Sequence, residues 1–216
     1  MLASGPGGHC VFHGGRGCDV YPMRPSSCSH FPYVCLIDKR GVHVTLSHYC
    51  PTAAAMLFDH DGPIEIVEGP APPTGLGIPE GLDARESLPP LASPQRLMSF
   101  DEFSAWEKNT VRTVGAYSAY GALGANGTDR LVAPAWPAFE PVITRYLAAK
   151  AFASWATYLN DDGIAAVVQS VETARARLQV EAARQCARAD RILDAPLLKE
   201  AIRQSDLRLV HDHASV

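Results

Sequence analysis

The 216-residue chain is 47% hydrophobic and carries a formal charge of −4, enough apolar material for one real core and a smaller module beside it. So mild a charge, with arginines scattered and not clustered, excludes a strong electrostatic pull toward nucleic acid or anionic lipid. No run reaches the roughly 18 apolar residues of a membrane helix, and the opening MLASGPGGHC lacks the basic and apolar regions of a secretory signal. The expected location is therefore the cytoplasm, where structural disulfides are rare.

In chain order, three zones are expected: a cysteine-rich module over 1–58, a proline-rich connector over 59–98 and a helical domain over 99–216. In the first zone YVCLI (33–37) and VHVTLS (42–47) are β-branched and apolar and flank DKRG, which predicts a hairpin with a four-residue loop. Alternation predicts Val42, Val44 and Leu46 on a buried face and His43, Thr45 and Ser47 on the other. Eight of the seventeen prolines fall between residues 63 and 94. Proline removes backbone donors and fixes φ, so neither regular helix nor a central strand is expected there.

Four helices are expected beyond residue 99. Ser99 is the N-cap of the first, with Asp101 and Glu102 in its first turn. The second starts at Pro137 or Pro141 and runs through PVITRYLAAKAFASWATYL, with Val142, Tyr146, Ala149, Phe152 and Ala153 on one apolar face. Asp161 or Asp162 caps the third, over 163–190. Asp194 caps the fourth, with Pro196 in its first turn. The short NDDG link predicts that helices two and three pack as an antiparallel pair. The fold class expected is α+β, mainly α: a small cysteine-rich loop and β-hairpin module followed by an antiparallel helical bundle.

Five of the six cysteines lie in the first fifty residues. A disulfide framework, a metal or iron–sulfur site and a catalytic thiol are the three physical explanations. A reducing compartment and a chain long enough to bury a core both weigh against disulfides. No nucleophile signature pairs a thiol with a base, and the glycine runs GPGG and HGGRG lack the frame of a nucleotide-binding loop. Zinc and iron–sulfur sites want about four thiolates converging at roughly 2.3 Å from the metal. The spacing Cys10-x7-Cys18-x9-Cys28-x21-Cys50 allows that only if the turn-rich chain between them doubles back. There is no C-x2-C pair, so spacing alone gives no zinc-finger signal.

The combination GHCVFHGGRGCDVYPMRPSSCSHFPYV…LSHYCPTA resembles the YkgJ-like cysteine-cluster family, described as zinc- or iron-chelating. Cys10, Cys18, Cys28 and Cys50 each match a cysteine of that family's motif, and Arg24-Pro25, Phe31-Pro32 and Pro51 match the residues around them. The resemblance covers about the first fifty residues and implies that these four thiolates hold zinc or an iron–sulfur cluster. It lacks the family's upstream cysteine group with its vicinal pair, which implies either a start that omits it or a site of four thiolates. RYLAAKAFASW and AIRQSDLRLVH are similar, more loosely, to flagellin lysine-N-methylases. That second likeness implies, as an alternative, an S-adenosylmethionine-dependent protein-lysine N-methyltransferase with a protein substrate.

The other candidates have plainer expected roles. Cys35 sits mid-strand and Cys186 mid-helix, both as core residues. His9, His30 and His48 neighbour the cysteines and are expected around a site more than in it. Arg16 and Arg24 would offset thiolate charge. His211 and His213 are expected in a solvated tail. Trp106, Trp136 and Trp155 are expected in core and inter-helix contacts.

Overall fold

The computed structural model describes residues 12–14, 17–23, 25–70, 78, 81–114, 129–159 and 161–213. They form an α+β fold, mainly α. Strands β1 (His13–Gly14) and β2 (Gly17–Cys18) make a short antiparallel ribbon. Helix α1 (Ser26–His30) precedes β3 (Tyr33–Asp38) and β4 (Gly41–Leu46), and α2 (Pro51–Asp59) follows them. Strand β5 (Gly81–Asp83) pairs parallel with β3, giving a three-stranded sheet of order β4-β3-β5. Strands β6 (Leu91–Ser93) and β7 (Arg96–Leu97) form a second ribbon. The helical part comprises α3 (Phe100–Thr113), α4 (Asp129–Val132), α5 (Glu140–Ala151), α6 (Ala156–Leu159), α7 (Ile164–Ala189) and α8 (Ala195–His213).

The hairpin is tighter than its sequence predicts. Asp38 pairs with Gly41, leaving Lys39 and Arg40 as a two-residue turn. Gly41 has φ +133, a conformation few side chains tolerate, and the Asp38 carboxylate accepts the Arg40 amide at 2.8 Å. The expected two faces of β4 do not separate. Val42 is 43% exposed, while Thr45 Oγ1 donates to Ala149 O at 3.4 Å and the His43 ring meets Phe152 edge-on at 6.1 Å. His43 and Thr45 thus meet the end of α5, where Phe152 supplies an apolar ring and Ala149 a carbonyl.

Helix α2 was not among the expected helices. Pro51 stands in its first turn, and Ala53, Ala54 and Leu57 bury its inner side. Helix α3 starts as expected: Ser99 Oγ accepts from Glu102 N at 3.1 Å and Glu102 Oε2 from Ser99 N at 2.7 Å, a complete capping box. Asp194 likewise caps α8 through Leu197 N at 3.0 Å.

Helix α5 is the centre of the core. Its buried residues are not one face: Val142, Ile143, Arg145, Tyr146, Leu147 and Ala148 go round the whole cylinder, as a helix enclosed on all sides requires. It also ends sooner than its pattern predicts. Phe152 is extended, and Ala153 has φ +51 and donates its amide to Glu107 Oε1 at 3.1 Å. The short helix α6 therefore lies between α5 and α7, so NDDG is not the whole connection. The longest contact joins α7 to α8, with Leu178, Ala182, Cys186, Leu198, Ala201 and Ile202 fully buried. Trp136 is buried, Trp106 stacks on Phe103 and Trp155 Nε1 donates to Cys35 O at 2.9 Å.

No aspartate side chain caps α7; it begins at Gly163, with φ +55 and no side-chain cap. A Cβ there would stand 2.2 Å from Leu91 O and 2.6 Å from Leu91 N, backbone atoms that cannot yield. Gly163→Ala should therefore lower stability by about 2–4 kcal/mol, combining a left-handed φ with overpacking. Urea unfolding measures this, and a loss no larger than that of an exposed-helix substitution such as Val168→Ala would contradict it.

Candidate functional site

Cys28 and Cys50 are carried to one end of the sheet. Cys28 lies in α1, its amide donating to Pro25 O at 3.0 Å. A cis Phe31–Pro32 bond leads into β3, whose first residue Tyr33 pairs with Leu46, the last of β4. Past that pair Ser47 N donates to Pro32 O at 2.8 Å, and Phe31 and Tyr49 meet edge-on at 6.4 Å. Cys50 follows as the residue before α2, its carbonyl accepting Ala54 N at 3.0 Å. Both thiols are half-buried and free.

Helix α8 grips the turn between Ser47 and Cys50. Asp206 accepts from Ser47 Oγ at 3.0 Å and Tyr49 N at 3.2 Å and is ion-paired to Lys150. Arg203 Nε donates to Tyr49 O at 3.1 Å, with its guanidinium 5.5 Å from the Tyr49 ring centre. Burial raises the Asp206 pKa, but the Lys150 charge and its hydrogen bond outweigh that and hold it below the usual range. Burial, and then the Lys150 charge, push His48 down to about 3, so its ring is neutral. It lies edge-on to Tyr146 at 5.6 Å, and among the described residues its Nδ1 has no hydrogen-bond partner.

Cys18 is exposed at the end of the β1–β2 ribbon, opposite His13. Cys10, His9, Arg16 and Arg24 lie outside the described residues, as do the side chains of His211 and His213. Among the described residues, no three His, Cys, Asp or Glu side chains stand together as a metal-holding group. The sheet register therefore brings the segments of Cys28 and Cys50 to one end of the hairpin. Cys35 and Cys186 are wholly buried, and burial raises both thiols.

A second polar centre, not anticipated, surrounds Asp38. Its carboxylate accepts from Arg40 Nε at 3.0 Å, Arg40 Nη2 at 2.8 Å and Tyr158 Oη at 2.9 Å, with His43 Nε2 at 3.1 Å. Arg40 Nη1 donates to Glu107 Oε2 at 2.9 Å, and its guanidinium lies 4.0 Å over Phe103. Burial pushes the Asp38 carboxyl up, but the bonds from His43 and Arg40 prevail and hold it well below the usual carboxylate range. Burial and the Asp38 charge raise Tyr158. Phe103, Glu107 and Val111 fall at i, i+4 and i+8 on the buried side of α3, as do Leu198, Ile202 and Asp206 on α8. A charge at a core position of a helical stripe was the available signal for both centres.

Folding depresses Asp38, so the stability it contributes is complete above the unfolded carboxyl value of about 3.9 and is lost as pH falls below it. The unfolding free energy should hold above about pH 5 and fall steeply below about pH 4, less steeply in Asp38→Asn. Equal steepness in the two proteins, measured by urea titration, would contradict this.

Between β4, α2, α3 and the segment 64–70 lies a cleft of about 1250 Å3, lined among others by Arg40, Glu107, Arg145 and His48. Arg145 closes one side, donating to Leu57 O at 2.7 Å and Gly62 O at 3.1 Å. No described helix is long and apolar enough to cross a membrane. Compared with family models, curated proteins and solved structures, the chain matches none.

Proposed function

We propose that the chain is a metal-binding protein in which the thiolates of Cys10, Cys18, Cys28 and Cys50 hold zinc or an iron–sulfur centre at the open end of the β3–β4 hairpin. One observation carries this: the segments of Cys28 and Cys50, distant in sequence, meet through Ser47 N to Pro32 O and Phe31 on Tyr49, and α8 clamps the Cys50 turn from behind. The donor chemistry fits, since Cys18, Cys28 and Cys50 are free thiols and soft thiolates suit zinc and iron–sulfur centres. The positive end of α2 lies at Cys50, a favourable place for an anionic ligand.

This chain's own part is to orient and shield. Asp206 and Arg203 hold the Cys50 turn, and Phe31 and Tyr49 cover the joint between the two segments. When bound, the metal would supply folding free energy to a loop-rich segment, roughly 10–16 kcal/mol for structural zinc. Thiolate ligands of this kind suit a reducing compartment such as the cytoplasm, where structural disulfides are rare. Anaerobic purification with metal analysis and a visible spectrum tests the proposal. Stoichiometric zinc without colour, or iron with visible thiolate-to-iron absorption, is the expected result; protein with neither metal would overturn it.

A further inference from the structure

We propose that the free edge of β4 is a docking strand for an extended peptide in which a basic side chain alternates with apolar ones. Strand β4 is the outer strand of its sheet, and hydrogen-bond alternation tells which of its groups point outward. Ala84 N donates to Ile37 O at 2.7 Å, so the Ile37 carbonyl faces β5 and away from β4. The pair Ile37–Val42 is thus a non-hydrogen-bonded one, and by alternation so are Cys35–Val44 and Tyr33–Leu46. Ser47 N bonding Pro32 O is consistent with that phase. The amides and carbonyls of Val42, Val44 and Leu46 therefore point out of the sheet, and none has a partner among the described residues.

The cleft lies along that edge. It touches all five residues of 42–46 and all seven of 64–70. Successive strand side chains point to opposite faces, so a cavity that touches every residue in a row meets the backbone edge and not one face. It is a slot between β4 and the segment 64–70, and it exceeds the roughly 300–1,000 Å3 of sites fitted to a small ligand. Addition of a strand to an open sheet edge takes its affinity from main-chain bonds and its specificity from alternate side chains.

The walls choose the side chains. Val44, Leu46, Met56, Ile64 and Ile66 give an apolar lining. Arg40 is committed to Asp38 and Glu107, and Arg145 to two carbonyls. Among the described residues of the lining, the charged side chains not so engaged are the carboxylates of Glu65 and Glu68 and the ammonium of Lys108, a balance that favours a basic side chain on the peptide.

The test is fluorescence anisotropy with a fluorescein-labelled hexapeptide of alternating valine and lysine. Three comparisons accompany it: the same peptide with alternate amides N-methylated, the same with glutamate for lysine, and the protein variant Val44→Pro. Proline at 44 removes an outward amide without touching the bonds to β3. The lysine peptide should bind saturably, at least about tenfold more weakly to Val44→Pro, whose melting temperature should stay near that of the parent. The N-methylated and glutamate peptides should lose at least about tenfold in affinity. Absence of saturable binding, or binding indifferent to N-methylation, overturns the proposal. If Val44→Pro does not fold, the N-methylated peptide on the parent protein decides alone. Concentration-dependent self-association that the peptide displaces would assign the edge to a second copy and overturn the partner proposed here.

Discussion

Asp38→Ala should destabilise the protein by about 3–5 kcal/mol, the cost of removing the central carboxylate of a buried ion-pair network. Asp38 and Arg40 have side-chain exposures of 0% and 8%, and Glu107 has 5%. Removing the Asp38 carboxylate strands two Arg40 donors, the Tyr158 hydroxyl and the His43 ring together. The Tyr158 bond joins the hairpin turn to α6, and the Arg40 that loses two bonds is the residue that holds Glu107 of α3, so the damage is not local. For a chain of this size that energy corresponds to a fall in melting temperature of about 6–20 °C. Asp83→Ala, which breaks an ion pair with Arg85 at the surface, should leave the melting temperature where it is. Equal effects from the two variants would show that the buried network does not tie the hairpin to the helices.

The double variant Cys28→Ser, Cys50→Ser should weaken metal affinity by at least roughly 100-fold, the upper end of what loss of even an outer partner of a ligand costs. Limited proteolysis should then cut within residues 12–50 while α5, α7 and α8 survive, since their core cluster takes none of its residues from that stretch. Cys35→Ala and Cys186→Ala are the controls. Both residues are wholly buried, so those variants should lose stability and keep their metal. Metal retained by the double variant, or lost by the controls, would move the ligands elsewhere.

Local chemistry explains what the sequence made legible. The Ser99–Glu102 box, the Asp194 cap and the β3–β4 pairing each depend on residues a few positions apart. Helix α2 had a signal as well, proline at its start and Ala53, Ala54 and Leu57 at helical spacing, but it was overshadowed by the turn-rich stretch before it. What was not legible is non-local. Ser47 and Asp206 are 159 residues apart, and Arg40 and Glu107 are 67 apart, so no window of sequence contains both partners. Helix α5 ends early because the Ala153 amide is drawn to Glu107 on another helix, a tertiary bond that overrides good helix formers. The meeting of the Cys28 and Cys50 segments likewise follows from the sheet register and not from their spacing.

X-ray absorption at the edge of the bound metal tests the central claim most directly. A shell of about four sulfurs at roughly 2.3 Å is the predicted result; a shell of nitrogen and oxygen without sulfur would contradict it.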